Sequence, residues 1–170
     1  MAKNNWLICG TSPFAVSGFK GNYKLIDRGI DFSKFITIAL NWFPIKCNYR
    51  CIVDHRTIDY TYKYGEKLII CNQLLPELRY FNKGREGLKI KPHYVFEIGK
   101  ELDCVNSVCE PAIEYAYKQG ADNIILYGVD LKDDFQPKEK TDVTRSIIEL
   151  YPNIFTMNKD TGVNVPLWVE

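Results

Sequence analysis

The stretch "SVCEPAIEYAYKQGADNIILYGVDL", residues 107–131, decides the fold class. Ser107 stands where a helix N-cap belongs, and Glu110 follows three residues on, as in a capping box. Pro111 falls in the first turn, where its missing N–H is tolerated. Ala112, Ile113, Ala116 and Tyr117 recur at i, i+1, i+4 and i+5, an apolar stripe along one helix face, and Gly120 supplies the stop. After the Gly-Ala-Asp-Asn turn, "NIILYGVD" (123–130) opens as an unbroken apolar run. Continuous rather than alternating hydrophobicity suits a strand buried on both faces, as in a parallel sheet. The stretch therefore predicts a helix over 107–119 leading into a buried strand.

Working outward, short apolar runs rich in β-branched residues recur along the chain: 5–9, 35–40, 51–54, 67–71, 93–98 and 153–157. Helical patterns fall between them, one over 139–150 with Thr141 or Asp142 as cap and Pro152 beyond its end, and a shorter one over 55–63. Strands alternating with helices predict an α/β chain: a Rossmann-like, doubly wound, mainly parallel sheet in a single domain over 1–170. The stretch 76–92, "PELRYFNKGREGLKIKP", has the poorest periodicity and reads as an irregular excursion from the sheet. Such an excursion is either a lid or binding loop or a solvated surface loop.

Composition narrows the function classes. A hydrophobic share of 46% with 25% charged residues is ordinary for a soluble globular chain. The net charge of +1 gives no bulk attraction toward nucleic acid or anionic lipid, so neither is expected as a partner, although a local basic patch is compatible with it. No basic segment precedes an apolar one at the N-terminus, and no apolar run approaches the length of a membrane span, so a cytoplasmic location is expected. The six cysteines, at 9, 47, 51, 71, 104 and 109, lack the paired C-x2-C spacing of a zinc ribbon. They are expected to be reduced and structural, with no metal and no required cofactor.

In open α/β sheets ligands sit beyond the carboxyl ends of the strands. That rule selects Gly10, Thr11, Ser12, Asn41, Asp54, His55, Asn72, Gln73 and Asp130 as strand-end residues, with Ser107 at a helix start. Each has two readings. Gly10-Thr11-Ser12 is either a plain hydrogen-bonded turn or a place where backbone and hydroxyls meet a ligand. Neither a G-x-G-x-x-G fingerprint nor a Walker A loop is present. Asn41 is a turn former or an amide that reads a ribose hydroxyl or base edge. Asp54 and His55 invite an acid/base reading, His because it titrates near neutrality, with Asp54 alternatively on a ribose. Asp130 contacts ligand or metal, or braces its loop.

Taken in order, "ICGTSPF", "ALNWF", "CIVDH", "LIICNQ" and "NSVCEPAIEYAYKQGADNIILYGVDL" resemble the motif set of the glycosyltransferase family 42 sialyltransferases. The set is similar also to that of the MptE-like pterin diphosphokinases and the flagellin-modifying motility accessory factors. The resemblance covers roughly residues 5–131. It implies a nucleotide held by Thr11, Asn41, Asp54 and Ser107, for instance the cytidine monophosphate part of an activated sugar. The chain departs from the family's Gly-x-Gly-Pro-Ser turn at Ser12 and Phe14, and Val108 replaces the Gly before the helix. The family's catalytic His has no counterpart in 131–160, where no His occurs.

Three functions fit these residues. The first is a nucleotide-binding, glycosyltransferase-like domain that transfers a sugar or phosphoryl group, with Asp54 and His55 as its acid/base residues. The second is a non-catalytic binder that sequesters a nucleotide-derived molecule, as a monomer or an oligomer. The third is a structural or partner-binding domain whose strand-end residues are only turns.

Overall fold

The computed structural model describes residues 4–85, 87, 89–102, 107–131 and 138–169. Its frame is a seven-stranded sheet: β1 (Asn5–Cys9), β4 (Ile36–Leu40), β5 (Tyr49–Ile52), β6 (Lys67–Cys71), β7 (Pro92–Phe96), β8 (Asn123–Tyr127) and β9 (Ile154–Thr156). The strands lie side by side as β7-β6-β5-β4-β1-β8-β9, and every pair is parallel. A separate two-stranded antiparallel hairpin, β2 (Val16–Ser17) and β3 (Lys24–Leu25), lies in the connection from β1 to β4. The helices are α1 (Ile58–Tyr64), α2 (Leu75–Lys83), α3 (Cys109–Lys118) and α4 (Lys138–Glu149). The doubly wound α/β architecture expected from the sequence is the one observed.

Both sheet faces are apolar because successive side chains point to opposite sides. Trp6, Ile8, Ile38, Leu40, Cys51, Ile69, Phe96, Ile124 and Leu126 pack on one face against Ala112, Ile113 and Ala116 of α3 and Ile148 of α4. On the other face, Ile52, Leu68 and Ile70 meet Ile58 of α1 and Leu78 of α2. Among the described residues, no α-helix covers the centre of that second face. There Leu7, Cys9, Ala39, Ile125 and Tyr127 are covered by Ala15 and Val16 of the hairpin segment, with Phe35, Phe43 and Cys47.

The strand order positions the site. From β1 the chain winds outward through β4, β5, β6 and β7, then returns to β8 on the other side of β1 and ends at β9. The loops leaving β1 and β8 therefore diverge, and a crevice opens between them at their carboxyl ends.

Three local expectations are corrected. The stretch 76–92 is not one irregular excursion: α2 runs from Leu75, with Pro76 at its first positions, to Lys83, and Pro92 opens β7. At the start of α3 the Ser107 half of the capping box is present, its Oγ accepting from the Cys109 N–H at 3.4 Å, while Glu110 turns inward and accepts a 2.6 Å hydrogen bond from Thr144 of α4. Helix-to-helix packing outweighs the local cap, since an unpartnered buried carboxyl is costly. Neither Thr141 nor Asp142 caps α4; both lie inside it, Thr141 buried and Asp142 paired with Arg145 at 3.2 Å. The other end of α3 is as read: Gly120, at φ 74°, closes it with the Gly120 and Ala121 N–H groups donating to Tyr117 and Ala116 carbonyls.

Cys9, Cys47, Cys51, Cys71 and Cys109 are free thiols and buried; Cys104 lies outside the described residues. Among the described residues no helix is long and apolar enough to cross a membrane.

Candidate functional site

The crevice begins where the tails of β1 and β8 touch. The Gly10 N–H donates to the Tyr127 carbonyl at 2.7 Å, and the Ser12 N–H to the Gly128 carbonyl at 2.9 Å. The two backbones approach so closely that neither glycine has room for a side chain. A Cβ on Gly10 would overlap the Gly128 carbonyl oxygen, and one on Gly128, at φ 64°, would overlap Ala15 Cβ. The Ser12 carbonyl then accepts from the Ala15 and Val16 N–H groups and turns the chain into the hairpin.

The third wall is the loop after β4. Asn41 sits at φ 44°, a left-handed conformation that Asn tolerates better than most residues. Its side-chain oxygen accepts from the Val53 N–H at 3.2 Å, and its own N–H donates to the Cys51 carbonyl. Beneath it lies Arg50, fully buried, which donates to the carbonyls of Asn41 (2.6 Å), Phe43 (3.1 Å) and Ile45 (3.2 Å). Glu66 completes the arrangement, pairing with Arg50 and accepting from the Cys47 N–H at 2.7 Å. Burial pushes the Glu66 carboxyl above its usual range, against the opposing pull of Arg50. This one ion pair ties the whole 41–47 loop to β5.

Between these walls is a cavity of about 670 Å³, within the range of small-molecule sites. Gly10, Thr11, Ser12, Asn41, Ser107, Gly128 and Asp130 line it with Trp42, Tyr23, Val16, Ile26 and Val129. Ser107, Val108 and Cys109 bring the N-terminus of α3 to its wall, where the helix dipole favours an anion. Ser107 Oγ is 3.1 Å from Cys109 Sγ. Burial, partly offset by this hydrogen bond, pushes the Cys109 thiol up to about 12 while it stays covered. Among the described residues, buried Ser12 Oγ has no hydrogen-bond partner.

Six of the strand-end and helix-start residues selected from the sequence thus surround one cavity: Gly10, Thr11, Ser12, Asn41, Ser107 and Asp130. Three do not. Asp54 caps the short turn before α1, accepting from the Arg56 N–H at 3.1 Å and pairing with the Arg56 guanidinium at 2.5 Å and Lys20 at 3.6 Å. The hydrogen bonds from Arg56 hold its carboxyl down at about 2 despite partial burial, helped by the charges of Arg56 and Lys20. His55 lines a different groove, of about 850 Å³, with Ile58, Pro76, Tyr80, Phe81 and Arg85. Asn72 accepts from the Ile98 N–H at 3.3 Å and ties the end of β6 to the segment after β7. Among the described residues, no group of three or more His, Cys, Asp or Glu is placed to hold a metal ion.

Sequence reasoning missed Tyr23, Trp42 and Gly128 as cavity residues. Trp42 directly follows Asn41 and Gly128 directly follows the strand 123–127, so strand-end position alone would have found both. No family model matches the chain, and no curated protein and no solved structure matches it.

Proposed function

We propose that the chain is a nucleotide-recognising, glycosyltransferase-like domain that holds the nucleotide part of its ligand in the cavity between β1, β4 and β8. One observation carries this reading: residues from four separate chain segments, chosen for their place at strand or helix ends, converge at the switch in strand order. The chemistry of the wall suits such a ligand. The α3 N-terminus offers its helix dipole to a phosphate, Asn41 and Asp130 offer amide and carboxylate to ribose or base, and Trp42 and Tyr23 offer rings to stack on. The resemblance to family 42 names Thr11, Asn41 and Ser107 for the same task and favours a cytidine nucleotide.

A second reading is holding the ligand without transferring a group from it, and the place of His55 favours it. The residue read as the base lines another groove, and Asp54 is engaged by Arg56 and Lys20. Asp130 is a carboxylate on the cavity wall, so Asp130→Asn is the variant that tests any turnover.

The experiment is a thermal-shift panel of CMP, UMP, GDP, NAD and cyclic nucleotides, followed by a turnover assay on every hit. A ligand at 100 times its Kd stabilises by about 2.7 kcal/mol, which raises Tm by roughly 5–11 °C in a chain of this size. CMP is expected to give the largest shift. If no nucleotide moves Tm, the proposal fails; a shift without turnover selects the second reading.

A further inference from the structure

The hairpin β2–β3 walls the cavity, yet its two ends are held differently. Its base is fixed by backbone pairing, Val16 with Leu25 and Ser17 with Lys24, and by the Ile26 N–H donating to the Ala15 carbonyl at 2.8 Å. Its tip, 18–22, turns on two glycines in left-handed conformations, Gly18 at φ 100° and Gly21 at φ 85°, and leaves Phe19 69% exposed. Beside the Asn22 N–H donating to the Phe19 carbonyl within the tip, three contacts among the described residues reach it from across the cavity mouth. Lys20 Nζ is 3.6 Å from Asp54 Oδ2 and 5.6 Å above the Trp42 ring, and the Tyr60 hydroxyl donates to the Gly21 carbonyl at 3.0 Å. Trp42 and Tyr60 in turn pack edge to face, with ring centroids 5.4 Å apart. The partners therefore form one unit, built from the loop after β4, the turn after β5 and α1.

We propose that the hairpin tip is the movable wall of the cavity and that Lys20 latches it shut on Asp54 and Trp42. A half-exposed ion pair and a cation–π contact are weak and screened by solvent, so the latch opens far more readily than the paired base. Gly18 and Gly21 supply the backbone freedom at either side of Phe19 and Lys20. Asp54, which ends a strand as a ligand-binding residue would, is on this account a positioning residue: it holds the hairpin that closes over the ligand. The proposal requires the cavity but no particular occupant.

The test is made on the ligand-free protein with Lys20→Ala. Hydrogen exchange of the amides in 17–25 is expected to rise about fivefold or more while β1 and β8 keep their wild-type protection. Cys109, which lines the cavity and is 1% exposed, reports opening through its rate of labelling by methyl methanethiosulfonate, resolved by site with mass spectrometry. That rate is expected to rise by about the same factor. Asp54→Asn keeps the oxygen that accepts from the Arg56 N–H and removes the charge, and should behave as Lys20→Ala does. Lys20→Arg retains both partners and should restore the wild-type rates to within about twofold. Unchanged rates in Lys20→Ala overturn the latch, and so does a rise that extends equally through β1 and β8, which would mean general loosening. Neither readout uses a nucleotide, so failure here is distinct from failure of the nucleotide reading.

Discussion

Replacing Gly10 by Ala adds one methyl group where the tails of β1 and β8 cross. The new Cβ would overlap the Gly128 carbonyl oxygen and stand 3.0 Å from its carbon and 3.2 Å from Val129 Cγ2. Ordinary carbon contacts lie at about 3.5–4.0 Å, so the Gly128 peptide must retreat by roughly 0.5 Å or more. That peptide cannot retreat freely, because its oxygen accepts the Ser12 N–H at 2.9 Å and Gly128 itself packs on Ala15. Overpacking against fixed backbone costs about 1–3 kcal/mol, and weakening the Ser12 bond adds about 0.5–1.5 kcal/mol. The sum, roughly 1.5–4.5 kcal/mol, corresponds to a fall in Tm of about 3–18 °C. Circular-dichroism melts with urea titrations measure it. Gly84→Ala is the control, since its Cβ would meet nothing closer than the Phe81 carbonyl at 4.0 Å and its stability should change by less than about 0.5 kcal/mol. A Gly10→Ala loss no larger than that of the control would refute the close crossing of the two strand tails.

Arg50→Met leaves Glu66 buried without its cation and should cost about 3–5 kcal/mol in urea unfolding; Arg50→Met with Glu66→Leu should recover much of it. A single-variant loss under about 1 kcal/mol would contradict the buried pair. Asp54 titrates at about 2 in the folded chain, below the ordinary value of about 3.9 expected on unfolding. Its contribution to stability is therefore complete above about pH 4 and is lost as pH falls through about 2. Carboxyl NMR titration should place its midpoint near 2 and higher in Arg56→Ala; a wild-type midpoint near 3.9 would count against the Arg56 contacts. His55→Ala should leave any nucleotide Kd within about twofold, because His55 lines the other groove; a loss beyond tenfold would place it at the ligand.

The strands were legible because burial on both faces demands continuous apolar runs, and "NIILY" or "KLIIC" has few other destinations. Their order was not. Asp54 and His55 follow β5, two positions from β1 in the sheet, and nothing in the local sequence encodes that distance. Strand-end logic therefore named Asp54 and Asn72 with the same warrant as Asn41, and only the lateral order separates them. The β2–β3 hairpin escaped notice because two-residue strands are too short to carry a period. Helix α2 was legible and misread: Leu75, Leu78 and Phe81 recur at three-residue intervals, Pro76 opens and Gly84 closes, yet the basic residues around them obscured the stripe. Glu110 shows the opposite failure, a correct local signal overridden by a partner on another helix, Thr144.

Amide chemical-shift mapping with CMP asks whether the cavity between the ends of β1, β4 and β8 takes a nucleotide. Added CMP is expected to perturb Gly10–Ser12, Asn41–Trp42, Ser107–Cys109 and Gly128–Leu131 together while the α1–α2 groove around His55 and Tyr80 stays still. Shifts confined to that groove, or none at all in excess CMP, would contradict the nucleotide reading.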